Sequence, residues 1–170
     1  MPPRPAEAGR PPVRIGLISD THGLLRPEAL AFLAGSDHIL HAGDIGDAAI
    51  LEALAGIAPL TAVRGNNDTG PWARQLKEVE QLRLAGVGIH LLHDRHELAI
   101  DPPASGVRVV VAGHSHKPLV QEQGGVLYIN PGSAGPRRFS LPVSVGELLI
   151  EDGGVRARTV TLEVAPRPRR

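Results

Sequence analysis

Cysteine is absent from this 170-residue chain. Disulfides, thiolate catalysis and cysteine-ligated zinc are therefore excluded together, and any metal must be held by imidazole, carboxylate, amide or water. Aromatic residues are scarce at 2%, with two phenylalanines, one tryptophan and one tyrosine. The core must then come from Val, Leu, Ile and Ala, which carry most of the 42% hydrophobic content. Excess charge is missing too, with 18 basic against 18 acidic residues and only two lysines. That balance disfavours a long, uniformly basic nucleic-acid surface. No long apolar run exists either. The stretch LAGVGIHLLH from Leu84 is far shorter than the ~18 residues a membrane span requires. The opening MPPRPAEAGRPP lacks the apolar segment of a secretory signal, so a cytoplasmic protein is expected. Asn67-Asp68-Thr69 matches a glycosylation sequon by chance on that reading.

What is present reads as one globular domain over residues 13–164. The Pro-rich residues 1–12 and the basic residues 165–170 are expected to be disordered tails. VRIGLIS from Val13 is a near-continuous apolar run, as expected of a strand buried on both faces. A helix should open near Pro27 and stop at Gly35, and a second should be capped by Asp47 and closed by Gly56. HILHAGD and LTAVRG supply two more strands, giving βαβαβ. The later half turns β-rich. QLRLAGVGIHLLHD reads as two strands folded around Gly86 and Gly88, VRVVVAG and GGVLYIN as single strands, and VGELLIEDGGVRARTVTLEV as a hairpin turning at Asp152-Gly153-Gly154. The expected fold class is α/β, two packed mixed β-sheets with helices outside, an αββα layered sandwich.

Five of these apolar runs end in metal-competent residues: Asp20 and His22, Asp44, Asn66, His93, then His114 and His116. Sites in α/β sheets form at the carboxyl ends of strands, so seven such side chains can converge. Each piece alone has a plainer explanation. Asp20-Thr21-His22 could be a structural turn, Asp44 a capping residue and His93 a half-buried histidine. The Gly65-Asn66-Asn67 turn could be an ordinary surface loop. The types, order and strand-end placement together favour a metal site.

The ordered set D-x-H, G-D, G-N-x-D, a lone His and G-H-x-H resembles the calcineurin-like metallophosphoesterase superfamily. VRGNND at Val63–Asp68 and NPGSAGPR at Asn130–Arg137 resemble its small YfcE-type phosphodiesterase branch, over about residues 13 to 160. The resemblance implies two divalent ions, manganese first, with iron, nickel, cobalt and zinc as alternatives. Asp20, His22, Asp44 and His116 would hold one, and Asp44, Asn66, His93 and His114 the other, with Asp44 shared. A hydroxide bridging the pair would then attack phosphorus in line. Four positive charges less Asp20, Asp44 and hydroxide leave a surplus of one to attract an anionic ester, which explains a neutral amide at Asn66. Asn67 stands where many members of the superfamily have a histidine general acid. It can donate a hydrogen bond to the leaving group but cannot give up a proton.

Arg95, His96 and Arg137 are candidate substrate contacts, with solvated or ion-paired roles as the plain alternative. His38, His41 and His90 read as packing residues, and His41 is the best candidate to support a ligand from behind. Asp68 and Arg64 would hold the Asn66 loop, and Gly132 and Ser133 would shape a turn nearby. The expected function is a metal-dependent phosphodiesterase, with activated monoesters also open. The expected partner is a small phosphate ester, and a homo-oligomer is left open. A nuclease acting on nucleic acid is disfavoured by charge. A non-catalytic scaffold of the same fold is disfavoured because no ligand-type residue is missing.

Overall fold

The computed structural model describes residues 11–138 and 140–164. Of the two expected tails, only Pro11 and Pro12 lie inside those residues. Two five-stranded mixed sheets stack face to face. The first combines the beginning and the end of the chain. β1 (Val13–Ile18), β2 (His38–His41) and β3 (Leu60–Ala62) run parallel. β9 (Ser144–Glu151) then pairs antiparallel with β1, and β10 (Gly154–Thr161) antiparallel with β9. The second has β5 (Val87–Leu92), β6 (Val109–Val111) and β8 (Val126–Asn130) parallel in its centre. Antiparallel edges are added by β4 (Val79–Leu84) and β7 (Leu119–Gln123).

Side-chain alternation explains the layers. In β1, Ile15 and Leu17 face the second sheet, and with Leu40 and Leu148 of their own sheet they pack against Ile89, Leu91, Val109 and Val111. Each fully buried Leu or Ile there contributes about 2 kcal/mol of transfer free energy. Ile18 faces the other way, onto Leu33 of α1 (Pro27–Leu33) and Leu54 of α2 (Ala48–Ala55). Asp47 caps α2 as expected, its carboxylate accepting from Ala49 N at 2.9 Å, and Gly56 ends it. Both α-helices cover the first sheet. Over the outer face of the second sheet, Val110, Ala112 and Val126 pack under Leu98 and Ile100, from the segment that holds a single 3₁₀ turn at Arg95–Glu97.

Two local details differ from the sequence reading. The turn between β4 and β5 is Ala85-Gly86, so Gly88 lies within β5 rather than at the bend. β7 went unread because LVQEQ is exposed along its whole length and carries no apolar alternation. Its strand character comes from pairing with β8 across the Gly124-Gly125 turn, in register Leu119 to Asn130 through Gln123 to Val126.

Candidate metal centre

The carboxyl ends of β1, β2, β5 and β6, with the loop after β3, meet at one edge of the sandwich. Backbone bonds lace these loops together. Asp20 N donates to Gly43 O at 3.0 Å, His22 N to Asp44 O at 2.9 Å, and Gly113 N to His93 O at 2.9 Å. Two glycines permit the close approach. A Cβ on Gly65 would lie 2.2 Å from Asp44 Oδ1, and one on Gly113 would lie 2.1 Å from Ser19 Oγ. Five of the seven candidate ligands, Asp20, His22, Asp44, His114 and His116, have positive φ between 46° and 72°. That region is uncommon for residues other than glycine, with Asn, Asp and His the usual exceptions. The lacing therefore holds these five residues in a sparsely populated backbone region, a feature that clusters at functional sites.

The side chains gather into two clusters, Asp20 with His22 and His116, and Asp44 with His93 and His114. Within each, the potential ligand atoms all lie within 4.8 Å of one another. In the first cluster His116 Nε2 is 3.3 Å from Asp20 Oδ1 and 3.4 Å from His22 Nε2. In the second, His114 Nδ1 is 3.3 Å from His93 Nε2 and 3.2 Å from Asn66 Oδ1, which brings Asn66 into the group. Asp44 stands between them, with Oδ2 3.7 Å from His22 Nε2 and 3.3 Å from His93 Nε2. Asp20 Oδ1 is buried without a hydrogen-bond partner, as is His116 Nδ1. A buried, unsatisfied carboxylate oxygen facing two imidazoles is what a cation-binding donor set looks like without its cation. The residues fit a pair of divalent ions bound through oxygen and imidazole nitrogen.

Burial alone would raise the Asp44 carboxyl, but hydrogen bonds from His93 and Asn67 outweigh it and hold the group well below the usual carboxylate range. Asp20 behaves likewise, burial being overcome by His116 and Ser19. For His93, burial is overcome by Asp44 and Asp20, which raise the imidazole to about 8. Burial lowers His22, with Asp44 and Asp20 opposing.

Behind the ligands lies a supporting layer. His93 Nδ1 is 2.7 Å from Ala42 O, so Nδ1–H donates there and Nε2 is directed at Asp44 and the site. His41, fully buried, accepts from Gly43 N at Nδ1 (3.1 Å) and so donates from Nε2 to Thr21 Oγ1 (3.0 Å). It thereby ties the Asp20–His22 loop to the Asp44 loop, although it touches no ligand directly. Asp68 does more than form a local turn. Its carboxylate accepts from Ile45 N, Gly46 N and Gly65 N at 2.9–3.1 Å, clamping the Asp44 loop to the Asn66 loop. Arg64 pairs with exposed Glu78 at 2.9 Å. Ser133 Oγ donates to Asp20 O at 3.0 Å, and Gly132 N donates to Asn130 Oδ1 at 2.8 Å. Asn130, absent from the sequence reading of the site, also donates from Nδ2 to Gly113 O (3.0 Å) and Ser115 Oγ (3.1 Å), bracing the His114 loop. Asp94 was missed as well, and its Oδ2 lies 3.8 Å from His114 Nε2.

Asn67 touches Asp44 twice, through N–H to Oδ1 at 2.9 Å and through Nδ2 to Oδ2 at 3.0 Å. Arg95 lies flat over Tyr128, with its guanidinium carbon 4.0 Å from the ring centroid, and donates to Gln121 and Gln123. His96 is exposed and paired with Asp94 at 2.9 Å. Arg137 is exposed. Its neighbour Arg138, which the sequence did not single out, is the arginine whose charge helps to lower the His22 pKa. His38 meets Thr61 Oγ1 at 2.8 Å and His90 meets Gln81 Oε1 at 3.1 Å, both away from the ligand clusters.

Among the described residues no helix is long and apolar enough to cross a membrane. The chain is 33% identical over 162 residues to a probable metallophosphoesterase of Methanocaldococcus jannaschii, covering 88% of this chain and 81% of that protein. It is 27% identical over 166 residues to the phosphodiesterase YfcE of Escherichia coli, covering 80% and 87%. Vps29 of Entamoeba histolytica, solved in complex with zinc, superimposes with a TM-score of 0.68 at 25% identity, covering 88% of this chain and 99% of that one. The model of the calcineurin-like phosphoesterase superfamily domain matches residues 13–153, so the chain belongs to that superfamily.

Proposed function

We propose that this protein is a phosphodiesterase that works with two divalent ions. Asp20, His22, Asp44 and His116 hold one ion, and Asp44, Asn66, His93 and His114 hold the other. The observation that carries this reading is the position of Asp44 Oδ2 between the two clusters, within 3.7 Å of His22 Nε2 and 3.3 Å of His93 Nε2. When bound, two such ions polarise the phosphoryl group as Lewis acids and lower the pKa of water. The chain's own residues do the rest. His93, fixed through Nδ1 by Ala42, keeps Nε2 directed inward. Asn66 contributes an oxygen without charge, which preserves the positive surplus that draws in an anionic ester. Asn67 supplies a hydrogen bond but no proton, so esters of acidic alcohols turn over faster than alkyl esters.

Manganese is the first expectation for the metal. The zinc complex of Entamoeba Vps29 makes zinc the alternative to place beside it. A second reading is a non-catalytic scaffold of the same fold. All seven ligand-type residues that hydrolysis needs are present, and metal-dependent turnover separates the two readings.

The test is hydrolysis of nitrophenyl and alkyl phosphodiesters and monoesters across a panel of divalent ions. Metal-dependent turnover is expected, steepest for good leaving groups, with Asn66→Ala and His114→Ala each reducing kcat/KM by about 100-fold or more. Equal rates with and without metal would reject the reading.

A further inference from the structure

A cavity of about 550 Å³ opens beside the metal clusters, on the outer face of the second sheet. Its walls are mostly apolar: Val110 and Ala112 from the β6 segment, Leu119 from β7 and Tyr128 from β8. Two cations, Arg95 and Lys117, also line it, and Arg95 is already spread over the Tyr128 ring. His114 and Asp94 belong both to this cavity and to a second one of about 310 Å³, whose other walls include the polar residues Arg64, Asn66, Glu78 and Glu97. The candidate metal centre thus sits between two unlike spaces. One is mostly apolar and adds the cations Arg95 and Lys117, and the other is polar, with Glu78, Glu97 and Arg64, while Asp94 borders both.

A phosphodiester has two organic arms, and the two spaces distinguish them. Asn67, the hydrogen-bond donor proposed for the leaving group, follows Arg64, Gly65 and Asn66, which line the polar side, and its Nδ2 reaches Asp44 Oδ2 at 3.0 Å. The arm that stays on phosphorus then falls to the apolar side. From this, and resting on the phosphodiesterase reading above, we infer that the 550 Å³ cavity is a specificity subsite for an aromatic, non-leaving substituent of an anionic phosphate ester. The volume is within the range of small-molecule sites. A flat ring entering it buries carbon against Leu119 and Ala112 and can stack on the Arg95–Tyr128 pair. Leu119 is 43% exposed, and a bound ring would cover it.

The test compares p-nitrophenyl phenylphosphonate with p-nitrophenyl methylphosphonate. Both are monoanions with the same leaving group, and they differ only in the arm that stays. In each, water oxygen bonds to phosphorus, the P–O bond to nitrophenolate breaks and the water proton passes to solvent. The metal-loaded protein should favour the phenyl compound about tenfold or more in kcat/KM. Leu119→Gln and Arg95→Ala, two surface changes on different elements, should each bring that ratio close to one, mainly by raising KM for the phenyl compound. Turnover of both compounds without a phenyl preference, or a preference that survives both substitutions, would overturn the subsite and leave the phosphodiesterase reading standing. Failure to turn over either compound with any divalent ion would overturn both.

Discussion

The two ligand clusters differ in how completely the protein itself satisfies them. Asp20, wholly buried, leaves one carboxylate oxygen without any partner, facing His116 and His22. Asp44 is also buried, but Asn67 and His93 already approach both of its oxygens. The first cluster is enclosed, whereas the second ends in His114, whose side chain is 45% exposed and borders both cavities. An enclosed, unsatisfied acid gains most from a cation, and an open imidazole is best placed to meet substrate. On the proposed phosphodiesterase reading, tight retention of an ion falls to the first cluster and contact with the ester to the second.

The sharpest way to break that contrast is metal titration by calorimetry. Two classes of binding are expected. His116→Ala should weaken the tight class by about 100-fold or more, and His114→Ala the weaker class. A single class, or the opposite order, would dissolve the distinction.

A smaller effect is expected from the clamp that serves the Asp44 side. Asp68→Ala strands the N–H groups of Ile45, Gly46 and Gly65, and should cost ~3 kcal/mol in denaturant unfolding. Loss of less than about 1 kcal/mol would show that the clamp is redundant.

The mildest test at neutral pH concerns His41, which serves both clusters by joining their loops. Burial lowers its pKa to about 4. The unfolded chain takes up this proton below about pH 6.5, but the fold resists it until about pH 4. Stability contributed at this position is therefore intact above pH 6.5 and falls as pH drops through that window. His41→Asn should flatten the acid limb of the stability curve relative to the unsubstituted protein, with little change in slope above pH 7. Parallel acid limbs would place the titration elsewhere.

Much of this architecture could be read from the sequence because its signals are local. β1 and β2 are apolar runs of the expected length, α2 begins at a capping Asp and stops at Gly, and the candidate ligands follow strand ends. β7 was invisible for the opposite reason, since exposed Gln and Glu become a strand only through pairing with β8. The supporting residues show the same divide. Asn130 ends β8 as the ligands end their strands, so the same signal was available, but its partners are Gly113 O and Ser115 Oγ. Asp94 follows His93 directly, yet its place beside His114 depends on two parallel strands meeting in register. Arg138 differs from Arg137 only in where a loop turns, which composition does not encode.

The left-handed backbone at His22, His114 and His116 also has an evolutionary consequence. Glycine would relax each of these positions, so a population selected only for heat resistance would drift away from imidazole there. Persistence of the three histidines in such a population would have to be enforced by purifying selection on chemistry, since conformational preference works against them.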